Sequence, residues 1–211
     1  MEKEKDLVEK VDLRFALADT AEKFQAVLDT FLAPLLLKLA SPHEPVRQQV
    51  FESIKNILQR LGSLPTVRIP VLRLVEQAKK ADGHNNVALY SLLFASKGVD
   101  RLNDSQEIQA MIPTVMGGIS QLPEMCAARM FNLLCRLLLL WKPPMVSSLE
   151  EDQVSKLLAL EDPRDLEFLM LKFTKFFMMV PNSNTNSGII PRGYSSPGLS
   201  AAEIEFFTYK A

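Results

Sequence analysis

The sequence predicts an all-α chain, a solenoid of stacked antiparallel helix pairs, and three observations predict it. Apolar residues recur at helical spacing through almost every long segment. Prolines and glycines cut those segments at intervals suited to helix pairs. The second helices of successive pairs are expected to begin near Glu44, Asn85, Pro123 and Pro163, about 40 residues apart. Composition agrees: 47% of the 211 residues are hydrophobic, only 8 are glycine, and no run of alternating β-branched residues reads as a strand.

The opening segment, Lys5 to Ala18, places Leu7, Val8, Val11, Phe15 and Ala18 on one side and reads as a short capping helix. Asp19 with Glu22 has the spacing of a capping box for the next helix, which Phe24, Val27, Leu28, Phe31, Leu32, Leu35 and Leu36 make amphipathic. Ser41-Pro42-His43-Glu44-Pro45 breaks the pattern, because proline lacks an amide hydrogen and drives its predecessor out of the helical region. Val46, Val50, Ile54, Ile57, Leu58 and Leu61 then line the partner helix, with Gly62 expected to stop it. Val71, Leu74, Val75 and Ala78 line a short helix. Asp82 to Asn86 turn the chain into another, carrying Val87, Tyr90, Leu93 and Phe94 and stopped by Gly98.

Asp104 and Glu107 repeat the capping-box spacing ahead of Ile108, Met111, Ile112, Val115, Ile119 and Leu122. Pro123 opens a helix to Trp141 that is apolar around most of its girth, and Val154, Leu157 and Leu158 mark a shorter one from Leu149 to Leu160. Asp162-Pro163 starts the last full helix, lined by Leu166, Leu169, Met170, Phe173, Phe176, Phe177 and Val180. Residues 1–180 are therefore expected to form the repeats, and 181–199, rich in Asn, Ser, Gly and Pro, a loop. Residues 200–211 begin a further helix, with Ser200 and Glu203 as its cap, that is cut short.

Several function classes are disfavoured. With 24 basic and 25 acidic residues the formal charge is -1, which gives no broad positive field for nucleic acid or an anionic membrane. The charged start MEKEKDLVEK lacks the apolar core of a secretory signal, so a cytoplasmic and nuclear location is expected. The richest apolar run, Met130 to Trp141, is interrupted by Asn132 and Arg136 and is too short for membrane insertion. Cys126 and Cys135 fall on opposite faces of one helix and read as reduced thiols. His43 and His84 are the two histidines, both in turns, and no spacing suits zinc. The chain is thus expected to have no catalytic, cofactor-binding or metal site.

Other features read as structural. Gly117-Gly118-Ile119-Ser120 lacks the Lys-Ser/Thr of a phosphate loop, and close helix packing accounts for its glycines. Asn103-Asp104-Ser105 is a cap rather than a glycosylation acceptor. Met111, Met116, Met125, Met130, Met170, Met178 and Met179 fill the core. Ile189, Ile190, Arg192 and Tyr194 stand out among small polar residues as a candidate partner-contact loop, and Ser195-Ser196-Pro197 suits a proline-directed phosphate.

The segment PLLLKLASPHEPVRQQVFESIKNIL resembles a HEAT unit, with Pro34 in its first helix and Val46-Arg47 opening its second. It departs at Ser41, where such units place an aspartate that bonds neighbouring units. More narrowly, VDLRFALADTAEKFQAVLDTFLAPLLLKLASPHEPVR with RGYSSPGLS is similar to the N-terminal region of the HEAT-repeat adaptor and scaffold family of the proteasome, in its fungal form. That resemblance implies a longer HEAT-like α-solenoid. It also implies a non-enzymatic scaffold that binds the 26S proteasome, helps hold core and regulatory particles together and links them to other proteins. The alternative on the same architecture is a transport or trafficking receptor of importin or coat-adaptor type.

Overall fold

The computed structural model describes residues 2–81, 83–141, 160–177, 180–181 and 194–195. Its elements are α1 (Glu2–Leu17), α2 (Ala21–Leu37), α3 (Glu44–Ser63), α4 (Val71–Lys79), α5 (Asn85–Val99), α6 (Ser105–Met116), α7 (Glu124–Leu140) and α8 (Pro163–Phe177). Short 3-10 turns follow α2 at Lys38–Ala40 and α6 at Ile119–Gln121. The architecture is all-helical and HEAT-like. The one non-helical pairing among the described residues joins β1 (Val180–Pro181) antiparallel to β2 (Tyr194–Ser195), two residues each. Second helices start at Glu44, Asn85, Glu124 and Pro163, within a residue of the positions the repeat spacing predicts. The expected Leu149–Leu160 and 200–211 helices lie outside the described residues.

The chain divides into two compact units, Met1–Glu107 and Ile108–Ala211. In the first, α2 turns into α3 and α4 into α5, α1 lies on both α2 and α3, and α5 lies on α2. Phe24, Leu28, Leu32, Leu36, Val46, Val50, Leu74 and Val75 are wholly buried there. Each such side chain contributes about 1.5–3 kcal/mol by leaving water. In the second unit Ile112, Met130, Leu133, Leu137 and Ile119 are fully enclosed, and Phe131 meets Phe173 of α8 edge-on at 5.0 Å.

Several local expectations are corrected. α1 starts at Glu2, and its Leu7 is exposed. The cap of α2 is Thr20, whose Oγ1 accepts the Lys23 amide at 3.3 Å; Asp19 instead takes the Lys23 ammonium at 2.8 Å. Asp104 accepts the Gln106 amide, but Glu107 turns away to Arg68 at 3.5 Å rather than completing a box. Gly62 and Gly98 lie inside α3 and α5 instead of ending them. At Gly98 the reason is packing, since a Cβ there would stand 2.5 Å from Val71 Cγ2.

Packing is not the reason at Gly117-Gly118. Gly118 has φ +75°, the left-handed conformation that ends α6 at Met116, short of Leu122. Leu166, Met170 and Phe177 are exposed on α8 rather than lining a core, and Met125 on α7 is likewise exposed. Met111, Met116 and Met130 are buried as expected, while Met178 and Met179 lie outside the described residues.

Candidate interaction surface

Several polar side chains join one helix pair to the next. Arg60, near the end of α3, donates to the Phe15 and Ala18 carbonyls that close α1, and its guanidinium lies 4.5 Å from the Phe24 ring centre. Arg101, just past α5, repeats this for α3. Its Nη2 reaches the Leu61 carbonyl at 2.6 Å, and its Nη1 reaches those of Leu64 and Val67 at 2.9 and 2.6 Å. A helix end leaves carbonyls without amide partners, and the guanidinium fork can serve several at once. Gln25 of α2 braces the next connection in both directions, donating to the Arg68 carbonyl at 2.9 Å and accepting its amide at 2.6 Å.

At the α2–α3 turn, Ser41 takes up part of the work of the missing aspartate. Its hydroxyl accepts the His43 amide at 3.3 Å, and its carbonyl accepts Arg47 Nη1 at 2.7 Å. The carboxylate comes from α1: Glu4 accepts the Ser41 hydroxyl at 2.9 Å and the Lys38 ammonium at 2.8 Å.

In the second unit the Gly117-Gly118-Ile119-Ser120 loop does hold an anion, and the anion is Asp165. That buried carboxylate accepts the Gly118 amide at 2.5 Å, the Ser120 amide at 2.9 Å and the Ser120 hydroxyl at 2.5 Å. Successive amides beside a left-handed residue form such a nest. Asp162 caps α8 through the Arg164 amide at 2.9 Å, and its bonds from Arg164 hold its carboxyl well below the usual range.

Among the described residues no proton-transfer constellation emerges from this geometry. His43 and His84 occupy the positions just before α3 and α5 without side-chain capping bonds. Burial pushes the Cys135 thiol up to about 11 and raises that of Cys126, so both are poor nucleophiles. Among the described residues no three His, Cys, Asp or Glu side chains come together as a metal site, and no helix is long and apolar enough to cross a membrane.

What remains is surface. An open groove of ≈ 590 Å³ runs between α1 and α3, lined by Asp12, Phe15, Ser53, Asn56, Gln59 and Arg60. Its two charged members are occupied, Asp12 by Gln49 at 2.7 Å and Arg60 by the α1 carbonyls. Exposed apolar residues sit outside it: Leu13 and Leu17 on α1, Leu139 on α7, and Leu166 and Met170 on α8. Of the expected partner-contact residues, Ile189, Ile190 and Arg192 lie outside the described residues. Tyr194 lies in β2 opposite Pro181. Sequence reasoning missed Arg60, Arg101 and Asp165. The arginines carried a signal, since they occupy matching places one repeat apart.

Paired helices and cross-pair arginine bonds define a helical-repeat protein. The family described as Proteasome component ECM29, N-terminal, matches residues 8–211, and the chain belongs to that family. It is 47% identical over 216 residues to Proteasome component ECM29 of Saccharomyces cerevisiae, covering 99% of this chain and 12% of that protein. It is 32% identical over 190 residues to the Proteasome-associated protein ECM29 homolog of Drosophila melanogaster, covering 90% of this chain and 10% of that one. With the human Proteasome adapter and scaffold protein ECM29 it shares 28% over 174 residues, 82% of this chain and 9% of that protein. The chain thus spans about a tenth of the length of the curated relatives it matches. No solved structure matches it.

Proposed function

We propose that the chain is a helical-repeat portion of a non-enzymatic adaptor and scaffold that binds the 26S proteasome and helps tether its core and regulatory particles. The observation that carries this reading is the 47% identity to a proteasome component across 99% of the chain. The names of the fly and human relatives, proteasome-associated and proteasome adapter and scaffold, support it too. The site is compatible with it, because Gln25, Arg60, Arg101 and Asp165 are engaged in joining elements, and the exposed apolar residues of α1, α7 and α8 offer contact. Cytoplasmic and nuclear residence follows from the same reading, since a tether must be where its particles are.

Affinity capture of the full-length protein from cell lysate, followed by mass spectrometry, tests it. Core- and regulatory-particle subunits should be enriched together, and deleting the protein should lower the fraction of core particle that stays capped on a native gel. Enrichment of nuclear-pore or vesicle-coat proteins without proteasome subunits would instead favour a transport receptor on the same scaffold.

A further inference from the structure

The groove between α1 and α3 is open because small side chains face it. Ala16 on α1 and Ser53 and Ser63 on α3 stand where longer residues would close the gap. They leave ≈ 590 Å³, within the range of about 300–1,000 Å³ that holds ligands. A helix about 10 Å across would use up that volume in about 8 Å of its length, so an extended chain fits it better.

Two polar features say what such a chain should carry. Asp12 stands half-buried in one wall, and its one partner among the described residues is neutral, Gln49 Nε2 at 2.7 Å. The other charge in the groove, Arg60, is taken up by the Phe15 and Ala18 carbonyls. The groove therefore offers a charged guest an unpaired carboxylate, which complements a cation and repels an anion. In the facing wall Asn56 and Gln59 are exposed, lie three residues apart on one face of α3, and make no bond to any described residue. A primary amide can donate and accept at once, which matches the C=O and N–H of one residue in a peptide chain. Gln25 already does this inside the molecule, donating to the Arg68 carbonyl at 2.9 Å and accepting its amide at 2.6 Å in a non-helical connection.

We propose that the α1–α3 groove binds an extended peptide segment of a partner protein that carries a lysine or arginine. The cationic side chain sits on Asp12, and Asn56 and Gln59 hold the backbone beside it.

Selection of a random peptide library displayed on phage, with the full-length protein as target, supplies the probe. Peptides that also bind Ala16→Trp, in which an indole fills the groove, are discarded. The remaining sequences should share a basic residue, and a fluorescent copy of one of them gives Kd by anisotropy. Asp12→Asn keeps an oxygen for Gln49 and removes only the charge; it should weaken binding about fivefold and flatten its salt dependence. Asn56→Ala with Gln59→Ala changes two exposed, unbonded side chains, so the melting temperature should hold while binding weakens about tenfold. Methylating the peptide amides that flank the basic residue should weaken it in the same way. The proposal is overturned if no sequence is enriched, or if the enriched peptides lack a basic residue. It is also overturned if Asp12→Asn binds as tightly as the parent, or if the Asn56 and Gln59 changes leave Kd where it was.

Discussion

Glu4 receives the Lys38 ammonium and the Ser41 hydroxyl, and these two bonds hold its carboxyl below the ordinary glutamate value. Asp19 is lowered by Lys23, and Asp162 by Arg164. A group whose folded-state pKa is depressed adds stability that is present above its unfolded value and lost as pH falls through the folded one. All three therefore act in the same direction. The urea midpoint of the chain should hold from neutral pH down to about 5 and then decline below about 4. Glu4→Gln should lower the midpoint at pH 7 and converge with the parent chain at about pH 2, since both then carry a neutral side chain there. A constant offset between the two at every pH would mean that Glu4 contributes through packing and not through its charge. Nothing local in the sequence announced this contact, because Lys38 and Ser41 lie in a different helix and turn from Glu4.

At the scale of the element, two glycines that look alike in sequence behave oppositely. Gly62 sits in the last turn of α3 with nothing within 4 Å of an added Cβ, whereas Gly98 sits in α5 against Val71 and Ile69. Gly62→Ala should stabilise the chain by about 0.5–1 kcal/mol, the usual difference in helix propensity. Gly98→Ala should destabilise it by about 1–3 kcal/mol through overpacking. Paired thermal or urea melts read both, and equal effects would show that the α4–α5 contact yields easily. Sequence spacing marked both as stops because a glycine near the end of an apolar run resembles a cap whether it turns the chain or admits a neighbour. The same limit hid the role of Gly118. Its left-handed backbone was invisible, as was Asp165 filling the amides beside it. Helix positions themselves were legible, because apolar periodicity and proline placement are local. Their capping partners were less so: Thr20, not Asp19, starts α2, and Glu107 answers to Arg68. The contact residues expected at Ile189, Ile190 and Arg192 lie outside the described residues, and a short apolar cluster in a polar loop has no periodicity from which to infer its surroundings.

Within the first unit, the repeat organisation makes stability a sum of neighbour terms, since α1 lies on α2 and α3, and α5 on α2. Arg60 and Arg101 are two such terms at matching places, the first joining α3 to the end of α1, the second joining the end of α5 to the end of α3. Removing either leaves carbonyls at a helix end without a partner, a loss of about 1.5–3 kcal/mol for bonds to a charged donor. The consequence should be confined to one junction. In Arg60→Ala, amide exchange should accelerate in 8–17 while α4 and α5 keep their protection. In Arg101→Ala, the change should appear in 61–71 and around α5 while α1 is spared. Lysine should rescue neither fully, because a single ammonium cannot span carbonyls that the planar guanidinium reaches together. If either substitution instead lowered protection evenly from α1 to α5, the first unit would be one cooperative body, and its helix pairs would be neighbours in sequence without being separable in energy.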